Sequence, residues 1–88
     1  NDKPVLQLTR FEPEEAFFSG LDGLKDIRDI SLNAFKNLKP YGFLALEHSD
    51  NQKDSVAEIL ESSGFIFIKQ IKDCAGQSRV SSAYKPNN

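Results

Sequence analysis

"FIFIKQIKDCAGQSRVSSAY", residues 65–84, is the stretch that decides the fold. Residues 65–71 are dense in β-branched and aromatic side chains and residues 79–84 alternate, so both read as strands. Between them lie seven residues, "KDCAGQS", with one glycine. A crossover between parallel strands needs a dozen or more residues, so these two strands form an antiparallel hairpin.

Upstream of the hairpin the period changes. Val56, Ala57, Ile59 and Leu60 make an apolar stripe at helical spacing, with Glu58 and Glu61 on the wet side. Asp50 is the expected cap of this helix, and Gly64 its stop, because glycine accepts the left-handed conformation without a Cβ penalty. Before it, in "YGFLALEHSDNQ", residues 43–47 read as a strand. Its apolar run lacks polar alternation, as a sheet covered by helices on each side requires. Further upstream, Leu24, Ile27, Ile30, Ala34, Phe35 and Leu38 recur at three- and four-residue steps and define another helix. Asp22 is its expected cap, Lys36 and Lys39 suit its negative pole, and Pro40 with Gly42 ends it.

Residues 1–21 carry Pro4 and Pro13 and no sustained period, and are expected to be a mostly extended or irregular connector. Residues 22–85 are the folded part, and 86–88 a fraying tail. The expected fold is α/β, in the order helix, strand, helix, antiparallel hairpin.

Eighty-eight residues suffice for one small domain, and 39% hydrophobic content with 27% charged describes a foldable chain. A net charge of -2 without a basic stripe argues against nucleic acid as a direct partner. No apolar run is long enough to span a bilayer, so no membrane role is expected. The single Cys74 has no internal disulfide partner, which favours a reducing, cytoplasmic setting, and without a C-x-x-C it is no metal or redox centre. The chain opens on Asn1 and contains no methionine, which suggests a segment cut from something longer.

Glu47 and His48 close strand 43–47, and open α/β sheets gather ligands beyond the carboxyl ends of their strands. They are either site-adjacent groups or ordinary loop residues, with Glu47 accepting backbone hydrogen bonds and His48 solvated. A lone histidine without a nucleophile or a second metal ligand has no defined task. Gly20 and Gly23 in "GLDGL" imitate a phosphate cradle, yet no strand is expected before them and the further glycine or lysine is missing. They are assigned to a turn and helix entry. Arg79 is expected to pair with Asp73 or Glu47.

Taken together, "RFEPEEAFFSGLDGLKDIRDI", "LKPYGFLALEHSDNQ", "ILESSGF" and "KDCAGQSRVSSAYK" resemble consecutive pieces of the C-terminal part of the HemK/PrmC family. Members of that family are release factor glutamine methyltransferases. They use S-adenosylmethionine to methylate the side-chain amide nitrogen of the glutamine in the GGQ motif of peptide chain release factors. The resemblance implies the tail of a Rossmann-like class I methyltransferase sheet, three strands with the last inserted between the other two. It also implies that residues 1–21 lie on the substrate side. Glu12 and Pro13 match the family's E-P and would lie near the substrate mouth, with Arg10 and Phe11 beside them; pinning of the loop is the alternative role. Glu47 and His48 are the other substrate-adjacent candidates, and no residue is assigned to catalysis, metal or cofactor. The family's glycine-rich turn, its acidic residue after the second strand and its N-P-P-Y motif are all absent from these 88 residues. The chain alone is therefore expected neither to hold S-adenosylmethionine nor to transfer methyl groups. The alternative is a stand-alone, non-catalytic remnant that binds a partner or pairs as a homodimer through an open edge of strand 43–47.

Overall fold

The computed structural model of the chain describes the backbone of residues 7–12 and all of residues 14–21 and 23–87. The elements run β1 (Gln7–Glu12), β2 (Glu15–Ser19), α1 (Leu24–Asn37), β3 (Phe43–Glu47), a 3-10 turn (Asp50–Gln52), α2 (Lys53–Ser63), β4 (Ile66–Lys72) and β5 (Ser78–Tyr84).

The hairpin forms as its loop length demands, with β4 and β5 antiparallel and Ile71 opposite Val80. Asp73 closes the turn: its Oδ1 accepts the N–H groups of Ala75 and Gln77 at 2.9 and 3.0 Å. β5 also pairs antiparallel with β3, from Phe43 opposite Tyr84 to Glu47 opposite Val80. The last strand thus lies between the two before it, in the sheet order β1-β2-β3-β5-β4.

Among the described residues, five strands stand where three were expected. Residues expected to be a mostly extended or irregular connector supply β1 and β2, paired antiparallel, and β2 runs parallel to β3 with Ala16 opposite Leu44. The physical reason is the obligation of backbone groups to pair. With β5 on one side, β3 would leave its other row of N–H and C=O groups bare; β2 covers that row, joined by Phe43 N–H to Glu14 O at 2.8 Å. The open edge on strand 43–47, on which the homodimer of the alternative reading rested, is therefore overturned, because β2 already occupies that edge.

Helix ends also differ from expectation. The N-cap of α1 is Gly23, at φ 102°, with no side-chain cap; Asp22 lies outside the described residues. At its C-terminal end the Lys85 Nζ donates to Leu38 O at 2.8 Å. Asp50 does not cap α2. It opens the 3-10 turn, and its Oδ1 accepts Ser78 N–H at 2.6 Å, which ties the start of α2 to β5. Ser49 caps that 3-10 turn, and Gln52 Oε1 accepts its N–H at 3.0 Å, the reciprocal half of a capping box, while Gln52 itself stands at the N-cap of α2 without a side-chain cap bond. Gly64 ends α2 at φ 108° as expected.

The two helices share one core with one face of the sheet. Ile27, Ala34 and Leu38, then Val56, Ile59 and Leu60, pack with Ala16, Leu44, Leu46 and Ala83. Helices on both faces were expected. Instead the alternate strand residues, among them Phe43, Ala45 and Tyr84, stand on a face that carries neither helix.

Candidate functional site

Because β2 and β3 are parallel and α1 connects them, the three make a βαβ unit whose strands both end on the same side. In open α/β sheets that side is where ligands collect. A depression of about 420 Å³ lies there, lined by Gly20, Leu21, Glu47, His48, Ser49, Gln52 and Arg79. Gly20 and Gly23 do follow a strand, β2, contrary to expectation. The G-x-x-G spacing still lacks the third glycine or lysine of a phosphate cradle, and their φ of 70° and 102° are used for the turn into α1.

The two candidates at the end of β3 are side by side but differ in state. Glu47 is exposed, whereas His48 is buried, at 7% exposure, and is not the solvated loop residue of the alternative expectation. Its N–H donates to Arg79 O at 2.8 Å, which carries the β3–β5 ladder one step further. Its ring Nδ1 lies 2.8 Å from Ser49 O and its Nε2 2.7 Å from Ser81 Oγ. A carbonyl can only accept, so Nδ1 carries the proton; in the neutral ring Nε2 then accepts the Ser81 hydroxyl proton. Ser81 Oγ in turn receives Gln70 Nε2–H at 3.2 Å, and the same amide donates to Lys53 O at 2.6 Å.

A serine hydroxyl 2.7 Å from an imidazole nitrogen has the reach of a nucleophile and its base. Two facts deny it that role. Ser81 is 0% exposed, so no substrate meets its oxygen, and the far ring nitrogen faces a peptide carbonyl rather than a carboxylate.

Arg79 settles on Asp73, not Glu47: its Nε donates to Asp73 Oδ2 at 3.0 Å and its guanidinium also reaches Gln77 Oε1 at 2.7 Å. The Gln77 N–H, then the Arg79 side chain, holds the Asp73 carboxyl below the ordinary 3.8. Such a depressed group contributes stability above its unfolded value, and that contribution fades as pH falls through the folded value. Glu47 is left as the carboxylate facing the depression, with Ser49 and Gln52 as neutral polar neighbours.

The other candidates are not gathered here. Arg10, Phe11 and Glu12 lie in β1, where only the backbone is described, and Pro13 lies outside the described residues. The Glu12 backbone pairs with Glu15, at the end of β2 away from Gly20. Ser49 and Gln52 were missed, although the S-x-x-Q spacing of a capping box was there to be read. No group of three or more His, Cys, Asp or Glu suited to a metal ion occurs among the described residues.

No protein-family model matches the chain. Among curated proteins it is 41% identical over 71 residues to a release factor glutamine methyltransferase of Pseudomonas aeruginosa, covering 81% of this chain and 26% of that protein. The Salmonella typhimurium protein of the same name is 37% identical over the same shares. A bifunctional methyltransferase of Rickettsia felis is 39% identical over 82 residues, 91% of this chain and 16% of that one. Among solved structures, a release factor-specific protein-(glutamine-N5) methyltransferase of Alicyclobacillus acidocaldarius superposes with a TM-score of 0.59 at 28% identity. The match covers 74% of this chain and 42% of that one. The chain thus spans about a quarter of the length of the first of these relatives, and it corresponds to the C-terminal part of the release factor glutamine methyltransferase family.

Proposed function

We propose that this chain forms the closing strands of a catalytic domain that methylates the GGQ glutamine of peptide chain release factors with S-adenosylmethionine. The depression at the ends of β2 and β3 is then one wall of the opening that admits the release factor. One observation carries the reading: the ligand-collecting end of the one parallel strand pair among the described residues holds Glu47 in an open polar depression, in a chain that matches these enzymes. A loop bearing a glutamine amide suits an exposed carboxylate, which accepts an amide N–H in a charge-assisted hydrogen bond.

The residues at this site do not fit the cofactor. The Gly20–Gly23 turn is no cradle, and the glycine-rich turn, second-strand acid and N-P-P-Y motif of the family do not occur in the 88 residues. Methyl transfer demands donor, carbon and amide nitrogen held nearly in line, so binding of the donor falls to other parts of the longer relatives. Of residues 1–21, Gly20 and Leu21 would face the substrate side, while β1 and β2 complete the sheet together with the strands of 22–85. Work on release factors implies a cytoplasmic setting, and no described helix is long and apolar enough to cross a membrane.

The test is a chimera in which this chain replaces the matching C-terminal part of the Pseudomonas aeruginosa relative. Labelled methyl incorporation into a release factor is expected from the chimera and not from this chain alone. A folded chimera that binds S-adenosylmethionine but transfers nothing would overturn the reading.

A further inference from the structure

His48 lines the depression, yet neither ring nitrogen is available to a ligand. Nδ1–H is taken by Ser49 O at 2.8 Å and the Nε2 lone pair by the Ser81 hydroxyl at 2.7 Å. Ser81, 0% exposed, spends its proton on His48 and a lone pair on Gln70 Nε2. Gln70 spends its second amide proton on Lys53 O. Every proton of this network has an acceptor, and it links the end of β3, both strands of the hairpin and the first residue of α2.

We infer that His48 is a positioning residue: a ring locked as the Nδ1–H tautomer, which fixes the turn from Ser49 to Lys53 against β5 and so sets the wall on which Glu47, Ser49 and Gln52 are presented. The imidazole takes no part in acid–base chemistry at the site. The geometry stands on its own; only the use of that wall for a release factor rests on the function proposed above.

Three considerations carry the inference. First, apart from the Asp50 carboxylate on Ser78 N–H, the segment has little else to hold it to β5, because Asp50, Asn51, Gln52 and Lys53 bury no side chain. Second, a buried hydroxyl donor left unpaired carries its full desolvation penalty, so Ser81 selects the tautomer with a bare Nε2. Third, Gln70 reaches the same turn through Lys53 O while Ser81 holds the His48 ring that leads into it, so two side chains of the hairpin act on the segment.

The test is made on this chain without cofactor or release factor, so it is independent of methyl transfer. In an 15N-labelled sample, His48 Nδ1 should resonate as a protonated, pyrrole-type nitrogen and Nε2 as a bare, pyridine-type one; a protonated Nε2 or an exchanging mixture of tautomers would overturn the inference. His48→Ala should speed hydrogen exchange at the Ser49 and Gln52 amides about ten-fold, the effect of losing one buried hydrogen bond, while the Leu60 amide in α2 stays unchanged. His48→Asn, whose amide mimics Nδ1–H, and His48→Gln, whose oxygen mimics Nε2, should each restore part of the protection. If both behave as alanine, the hydrogen bonds are not what holds the turn. Should the His48 variants fail to fold, Ser81→Ala keeps the ring and removes its proton donor; unchanged Nε2 shift and unchanged exchange in that variant would equally sink the idea.

Discussion

The two faces of this sheet are built from the same strands and meet different surroundings. On one face Leu44 and Leu46 of β3, both 0% exposed, lie under α1 and α2 in a single apolar core. On the other, Phe43 packs on Tyr84 with ring centroids 5.1 Å apart, and Tyr84 meets Phe67 at 6.4 Å. There Phe67 is 76% exposed, Ile71 47% and Tyr84 42%. A large exposed apolar patch is the informative observation, not a buried leucine. The lesson is that β3 is apolar on both sides because its composition suits a three-layer fold, while this chain supplies helices for one side only.

The largest test of that contrast is a pair of truncations read by urea unfolding. Leu44→Ala removes a fully buried side chain and should cost about 2–5 kcal/mol. Ile71→Ala, half-exposed on the other face, should cost less than about 1 kcal/mol. Equal losses would mean that the second face is also covered in solution.

Next in size is Gly64→Ala, on the helix side. The position has φ 108°, and a Cβ there would stand 2.8 Å from the Phe35 ring, which packs edge-on against Phe65. Left-handed strain and overpacking together predict a loss of about 2–4 kcal/mol by thermal or urea unfolding. A loss below about 1 kcal/mol would show that Phe35 swings aside and that the covered face is looser than its burial implies.

Much of the covered face was legible in the sequence, and most of the rest was not, for a common reason. The helices, the Gly64 stop and the hairpin follow from local period and loop length, so they read off residues 24–84. β2 does not: Glu15–Ser19 is a short run with no strong period, and it becomes a strand only because β3, 28 residues further on, has a free row of backbone groups. The burial of His48 is equally non-local, since it depends on Ser81, 33 positions away. At the site, sequence pointed to Glu47 and His48 as a pair, and the structure separates them into a presented carboxylate and a ring turned inward.

The covered face also holds a flaw that sharpens the comparison. Ser31 in α1 is 0% exposed and its Oγ has no hydrogen-bond partner among the described residues. Removing a buried, unsatisfied hydroxyl relieves its desolvation cost, and alanine is the better helix former. Ser31→Ala should therefore raise stability by about 1 kcal/mol, seen as a higher urea midpoint at unchanged slope. A loss of stability would mean that the hydroxyl is satisfied, for example by water within the core.

The smallest expected effect falls at the most exposed aromatic of the other face. Phe67 sits at φ 55°, in the left-handed region that bulky residues avoid, where the β4–β5 register shifts between Ile66 and Lys69. It therefore carries backbone strain and exposed apolar area while making one ring contact among the described residues, with Tyr84. Phe67→Ser removes the area and keeps the bulge, so its stability should lie within about 0.5 kcal/mol of the parent. The value of the measurement lies in its asymmetry. If the face is bare in solution, the ring has almost nothing to lose, and the two midpoints coincide. If the substitution costs about 2 kcal/mol, the ring must be buried against something in the dissolved protein. The contrast between the faces would then belong to the isolated chain and not to its state in solution.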